Sequence, residues 1–301
     1  MKSTTGLIFA ILASVCFGFL GIFAQIGYNA GSNPTTVLIV RFFLATIILG
    51  VVILVTGKSL KITRKQLVML FFIGAIGYTV TTQALFDAYQ YIGVGLATGI
   101  HFIYPLFVCV FGFLFAKERF TKRKVFALII SIAGVFLLSI SEQSGIDIRG
   151  VALAFFSGII YGGTVFVMGK EEIKSLNGMV ITFYCSLFAC IITFFIGLAR
   201  GQIITKMNVH IGFAYISIAI VSTVLALVFL QMAIQRIGPS NTSILGTFEP
   251  IVGILASWVF FNEVIDGFTI IGMALVVISV IILARDKEQG VGEITEVQEF
   301  S

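Results

Sequence analysis

One spaced pattern occurs twice in this chain and limits what it can fold into. Gln90-x-Ile92-Gly93, eleven residues, Pro105, twelve residues and Glu118 return as Gln235-x-Ile237-Gly238, eleven residues, Pro250, twelve residues and Glu263. A shift of about 145 residues also lays Gly6, Ala10, Phe17 and Gly18 on Gly150, Ala154, Tyr161 and Gly162. Both copies lie in long apolar stretches, so the fold must be one unit built twice and joined in the middle.

The apolar stretches define the solvent. With 58% hydrophobic and 11% charged residues, the chain is far from a soluble domain, where about a quarter of residues are charged. Ten apolar windows are read, at 7–28, 35–56, 67–89, 94–116, 125–141, 150–168, 178–199, 211–234, 239–261 and 267–284. Each is long enough to cross a hydrocarbon core ~30 Å thick. The expected fold class is an all-α membrane protein of ten transmembrane helices in two five-helix repeats, 6–141 and 150–285. An odd number of spans per repeat turns the second upside down relative to the first. The run after Met1-Lys2 shows no clear cleavage site and is read as a retained helix. Residues 286–301, with five acids, are expected to form a solvated cytoplasmic tail.

The charges follow the membrane. With the N-terminus cytoplasmic, fifteen Lys and Arg fall in inside segments, against Arg149, Arg200 and Lys206 outside and Arg41 within a span. This bias puts both termini in the cytoplasm, and the basic loops are a topology signal, with no nucleic-acid partner expected. Cys16, Cys109, Cys185 and Cys190 all fall inside predicted spans as packing residues. No metal site and no cofactor are expected.

Several local motifs carry a family resemblance over about residues 6–285. They are Asn33-Pro34 leading to Arg41-Phe42-Phe43-Leu44, the run Gly-Pro-Ser-Asn-Thr-Ser at 238–243, Glu249-Pro250, and the Glu at the end of spans four and nine. Together with the five-plus-five pattern, they resemble the drug/metabolite transporter superfamily, and within it the EamA-type branch. The resemblance implies a carrier and leaves the substrate open. Span four has Tyr104-Pro105 where span nine has Glu249-Pro250, so the halves differ chemically.

The candidate site is read from polar residues inside the spans. Pro105 and Pro250 each remove a backbone hydrogen bond, freeing the carbonyls of His101 and Gly246. In hydrocarbon such groups need protein or a water-filled cavity beside them. On span nine Thr242, Gly246, Glu249, Gly253 and Ser257 share one face, matched on span four by Ala97, His101, Tyr104, Val108 and Gly112. Glu249 is the leading coupling candidate, since an intramembrane carboxylate must be paired, hydrated or protonated; His101 and Asp87 are the others. Arg41 either snorkels to the outer surface, pairs with Asp87 or Glu249, or grips a substrate anion. Gln25, Tyr78, Gln83, Tyr161 and Gln231 would supply uncharged hydrogen-bonding groups to the pathway, although each could equally bond between helices. Glu118 and Glu263 are read as structural helix ends, with a gate role as the alternative.

The expected function is secondary transport of a small metabolite such as an amino acid, outward, by alternating access across the kinks at Pro105 and Pro250. Partners are the solute, the bilayer and protons, and the protein acts as a monomer or homodimer in the cytoplasmic membrane. No Walker sequence is present to use ATP. An uncoupled channel or lipid translocator is the rival. A membrane-embedded enzyme would need a clustered His, Asp and Glu set, and only two His occur, His101 and His210.

Overall fold

The computed structural model describes residues 2–92, 94–118, 120–139, 147–261 and 265–299, and every regular element among them is helical. The first half contains α1 (Lys2–Gly18), α2 (Leu20–Asn29), α3 (Pro34–Val55), α4 (Arg64–Phe72), α5 (Thr79–Ile92), α6 (Val94–His101), α7 (Tyr104–Ala116) and α8 (Lys122–Ser139). The second contains α9 (Ile148–Met168), α10 (Glu171–Lys174), α11 (Gly178–Arg200), α12 (Val209–Ala219), α13 (Ala226–Ile237), α14 (Pro239–Gly246), α15 (Glu249–Phe261) and α16 (Gly267–Glu299). Glu263 and most of the connection between the halves lie outside the described residues.

Among the described residues, eight stretches are long and apolar enough to cross a membrane: Thr4–Asn29, Pro34–Val55, Arg64–Ala88, Ala97–Ala116, Ile148–Met168, Gly178–Arg200, Val209–Ile237 and Pro239–Phe260. The other two long helices are shorter in their apolar parts. α8 opens on Lys122-Arg123-Lys124, and the apolar part of α16 is Gly267–Leu283. α16 runs on through the acidic residues to Glu299, with no proline to stop it.

The repeat is visible in how helices begin and end. Asn33 caps α3 by accepting from Thr36 N (2.8 Å), and Asn177, 144 residues later, caps α11 by accepting from Met179 N (3.0 Å). Each side-chain oxygen satisfies an amide that has no partner within its helix. Thr63 and Asn208 do the same for α4 and α12. Gly57 and Gly201 follow α3 and α11 with φ of +65° and +61°, a left-handed turn that costs glycine nothing.

The same geometry recurs mid-helix. A six-residue π turn, Ile73–Tyr78, joins α4 to α5, and its counterpart Ile220–Leu225 joins α12 to α13. In each, a threonine hydroxyl reaches back five residues: Thr79 to Gly74 O (3.2 Å) and Thr223 to Ile218 O (2.9 Å).

The halves interlock, each helix packing on its counterpart or on a symmetry-related partner: α3 on α11, α8 on α16, α1 on α13 and α9 on α5. A Cβ on Gly197 would lie 2.9 Å from Ile39 Cδ1, and one on Gly50 would lie 3.3 Å from Phe183 Cε2. Early residues of α3 therefore meet late residues of α11, and the two run antiparallel. α8 and α16 approach through Gly134 and Gly272, where an added Cβ would sit 2.9 and 2.8 Å from the other glycine's carbonyl oxygen. Such small-residue contacts let helices gain van der Waals packing where lipid removes any hydrophobic drive. Large apolar side chains such as Val55, Phe115 and Phe195 cover the outside.

Candidate functional site

Spans four and nine are broken near their middles. α6 ends at His101 and α7 starts at Tyr104; α14 ends at Gly246 and α15 starts at Glu249. Without the proline N–H groups the chain tightens into i→i−3 turns. Ile103 N donates to Ile100 O (3.2 Å), and Thr247 N and Phe248 N donate to Ile244 O (3.2 Å) and Leu245 O (3.1 Å). The two expected continuous stripes are therefore each interrupted. Val108 and Gly112 are buried in packing, Gly112 lying against Glu118.

Each break rests on the small-residue face of the first helix of the other half. A Cβ on Gly158 would lie 3.0 Å from His101 O, and one on Gly162 would lie 2.9 Å from Tyr104 O. On the opposite side a Cβ on Gly18 would lie 3.0 Å from Glu249 O, and Ser14 Oγ donates to Leu245 O (3.3 Å). Ser14 and Gly18 thus pack against the broken backbone.

Arg41 is 6% exposed and reaches from α3 to the second π turn. Its Nε donates to Thr223 Oγ1 (3.1 Å) and its Nη2 to Ser222 O (3.4 Å), and its guanidinium stands 4.9 Å from the Phe42 ring centre. The π turn carries one extra residue per turn, which turns the Ser222 carbonyl and the Thr223 hydroxyl toward the cation. Ser222 Oγ donates to Cys16 O (2.9 Å), just before the interruption at Phe19 between α1 and α2. Arg41 makes no ion pair among the described residues; the ionisable groups near enough to feel its charge are Tyr78, Tyr28, Tyr161 and Glu249.

Glu249 is the first residue of α15, where the helix dipole favours a negative charge. It is half-buried, and its carboxylate makes no hydrogen bond or ion pair among the described residues. Tyr104 and Tyr161 share its surroundings. Their rings meet edge-on at 4.7 Å, and His101 lies 5.8 and 5.5 Å from them. Tyr104 Oη donates to Ser243 O (3.4 Å), crossing from the first half to the second. Ser157 gives its proton to Ala154 O (2.7 Å), so it accepts from His101 Nδ1–H (2.9 Å) and leaves Nε2 as an acceptor.

The structure thus gathers Arg41, Tyr78, His101, Tyr104, Tyr161 and Glu249 at the seam of the halves. The other sequence candidates sit elsewhere. Gln25 is exposed and donates to Asn29 (2.8 Å). Gln83 donates to Asp87 (2.9 Å), and Asp87 pairs with Arg200 (3.4 Å) rather than with Arg41. Gln231 is fully buried and donates to Met168 O (3.3 Å), and Thr242 bonds its own helix at Gly238 O (2.7 Å). Glu118 bridges the halves, bonded to Lys124 Nζ and Ser240 Oγ, both at 2.6 Å. No group of His, Cys, Asp and Glu among the described residues could hold a metal ion. Sequence reasoning missed Tyr28, Ser157, Ser222 and Thr223. The pairing of Thr79 with Thr223 at the repeat spacing was the one signal available.

A bundle of apolar helices that collects charged and aromatic groups where its helices break defines a polytopic membrane transporter. The sequence pattern of the EamA-like transporter family matches residues 4–140 and 148–285, and the chain belongs to that family. It is 26% identical over 280 residues to an uncharacterized transporter of Archaeoglobus fulgidus, covering 92% of this chain and 99% of that one. It is 24% identical over 288 residues to the pseudopaline exporter CntI of Pseudomonas aeruginosa, covering 94% and 97%. A crystal structure 16% identical in sequence superposes with a TM-score of 0.81 over 95% of this chain and 99% of that one, which shows the shared fold.

Proposed function

We propose that the protein exports a small polar metabolite, such as an amino acid, from the cytoplasm by alternating access, coupled to protons at Glu249. Ten spans in two inverted repeats would carry it through the inner membrane with both termini inside. The observation that carries the reading is the side-chain cluster at the seam, where Arg41 lies within electrostatic reach of Glu249 with no ion pair between them among the described residues, and the proposed solute pocket is placed there. Two opposite charges held apart at mid-membrane are costly unless a solute, water or a proton meets them.

The contacts at the two ends support the topology. Segments assigned to the inside touch one another: Lys65 bonds Glu172, and Gln235 Nε2 donates to Lys174 O (3.1 Å) and Leu176 O (2.9 Å). Segments assigned to the outside do likewise, with Thr35 bonded to Gln202 (2.8 Å) and Asn208 to Ala30 O (3.1 Å). The antiparallel pairing of α3 with α11 supports the inversion, and the likeness to the exporter CntI supports the outward direction. Breaks in α6–α7 and α14–α15 supply hinges on either side of the pocket.

The test is a thermal-shift screen of the purified protein against a metabolite library, repeated with Glu249→Gln and Arg41→Ala. A ligand that stabilises the parent by mass action but neither variant identifies solute and site together. The hit is then assayed for transport in proteoliposomes. A pH gradient that drives Glu249→Gln as well as the parent removes the proton role.

A further inference from the structure

A second feature lies away from the central pocket, at the end of the bundle that carries the basic connections. A cleft of about 460 Å³ opens between the start of α11, the end of α13 and the α3–α4 connection. Lys58, Asn177, Met179, Gln235 and Arg236 are among its walls. The volume is in the range of sites that hold small ligands, about 300–1,000 Å³.

Its charge is all of one sign. Lys58 Nζ bonds only Met179 Sδ (3.4 Å), a weak thioether acceptor. Arg236 donates Nη1 to the backbone at Met232 O (3.0 Å) and stands 4.7 Å from the Phe9 ring centre. Neither cation has a carboxylate within ion-pair distance among the described residues. The nearby acids are committed to other lysines: Glu172 to Lys65, Glu171 to Lys174 (2.9 Å) and Glu118 to Lys124 (2.6 Å). α11 also begins in the cleft. Asn177 takes the Met179 amide (3.0 Å), while the other first-turn amides have no acceptor within the helix. The positive end of a 23-residue helix therefore adds to the two side-chain cations.

We propose that this cleft binds a phosphate-bearing anion, and specifically the headgroup phosphodiester of an anionic phospholipid. Basic pockets between helices at the cytoplasmic interface suit such headgroups. The apolar surface needed beside the phosphate is present: Leu54 (73% exposed) and Val55 (81%) lie one turn before Lys58 and offer a track for acyl chains. Free phosphate shares the headgroup's chemistry but would leave that track bare. A topology signal alone would treat every inside lysine alike; here the orphan cations and the helix end converge on one concavity.

The experiment uses the full chain in neutral detergent, titrated separately with phosphatidylglycerol, phosphatidylcholine and inorganic phosphate. Bound lipid is counted by native mass spectrometry and melting is followed in parallel. Phosphatidylglycerol is expected to bind and raise the melting temperature where phosphatidylcholine does not. Lys58→Gln or Arg236→Gln should weaken that binding by about tenfold, the scale of one lost charged hydrogen bond. Lys58→Arg should keep it, which guards against a variant that merely misfolds, and Lys122→Gln, on exposed α8, should keep it too. Stabilisation by inorganic phosphate alone, lost in the same two variants, would support the site with a soluble ligand as its source. Equal binding of the two lipids, or equal loss in Lys122→Gln, would overturn the proposal. The readout is binding and not transport, so it stands or falls apart from the proposed solute.

Discussion

Thr223→Val removes one oxygen from the second π turn without changing the side-chain shape. That oxygen accepts from Arg41 Nε (3.1 Å) and donates to Ile218 O (2.9 Å). Its repeat partner Thr79 donates to Gly74 O (3.2 Å) and has only neutral neighbours, Ala189 O and Thr193 Oγ1, both at 3.5 Å. A hydrogen bond to a charged group contributes about 1.5–3 kcal/mol, whereas a neutral bond between membrane helices averages about 0.6 kcal/mol. At about 2 °C per kcal/mol for a chain of this size, Thr223→Val should lower the melting temperature by about 3–6 °C. Thr79→Val should lower it by about 1 °C on the same scale. Thermal unfolding of the purified protein in one detergent measures both. Arg41→Met supplies the second axis of a double-mutant cycle. Once the cation is gone, Thr223→Val should cost no more than Thr79→Val. Equal costs for the two threonines in the parent, or no coupling between Arg41 and Thr223, would refute the assignment of Arg41 to the π turn.

Three further outcomes follow from particular contacts. A Cβ on Gly246 would meet only the Tyr104 side chain, led by its hydroxyl, so Gly246→Ala should impair ligand stabilisation and Tyr104→Phe should restore it; no rescue would mean the clash lies elsewhere. Gly134→Val and Gly272→Val each press a side chain against the facing backbone and should cost about 1–3 kcal/mol by overpacking, read as a lower melting temperature, while Gly212→Ala, with open space around it, should be neutral. Lys65 holds the exposed Glu172 carboxyl below its ordinary value of 4.5, so what this pair contributes is present above that value and fades as the pH falls through the folded-state value. Because exposed pairs are screened by solvent, Glu172→Gln should leave melting at pH 7 unchanged, and a clear loss would show the pair to be structural.

Much of the architecture was legible because membranes impose coarse rules. Eight of the apolar windows match the membrane-length helical stretches to within a few residues, and Pro105 and Pro250 mark two helix breaks, since a missing N–H acts on the backbone wherever it stands. Arg41 and Glu249 stood out because charge is expensive in lipid, and the structure places them within electrostatic reach of each other. The π turns were not legible. An i→i+5 register needs no special residue, so Ile73–Tyr78 and Ile220–Leu225 read as ordinary helix, and with them went the partner of Arg41. Asp87 was one of the partners left open for Arg41, and the structure pairs it with Arg200 instead. The stripes through Thr242 and Gly112 were read on the periodicity of an unbroken helix, and both cross a break. Gln25 and Gln83 bond within their own helices and Gln231 Nε2 bonds across to Met168 O, partners that polarity alone does not reveal.

The central claim is that the two related halves cross the membrane in opposite senses and meet at one pocket. Lys61 and Thr205 stand 144 residues apart, both exposed, at equivalent places after α3 and α11. Lys61→Cys and Thr205→Cys, each placed singly, can be probed in intact cells with a membrane-impermeant maleimide. The account predicts labelling of Thr205→Cys from outside and of Lys61→Cys only after the membrane is opened. Labelling of both from the same side would contradict it.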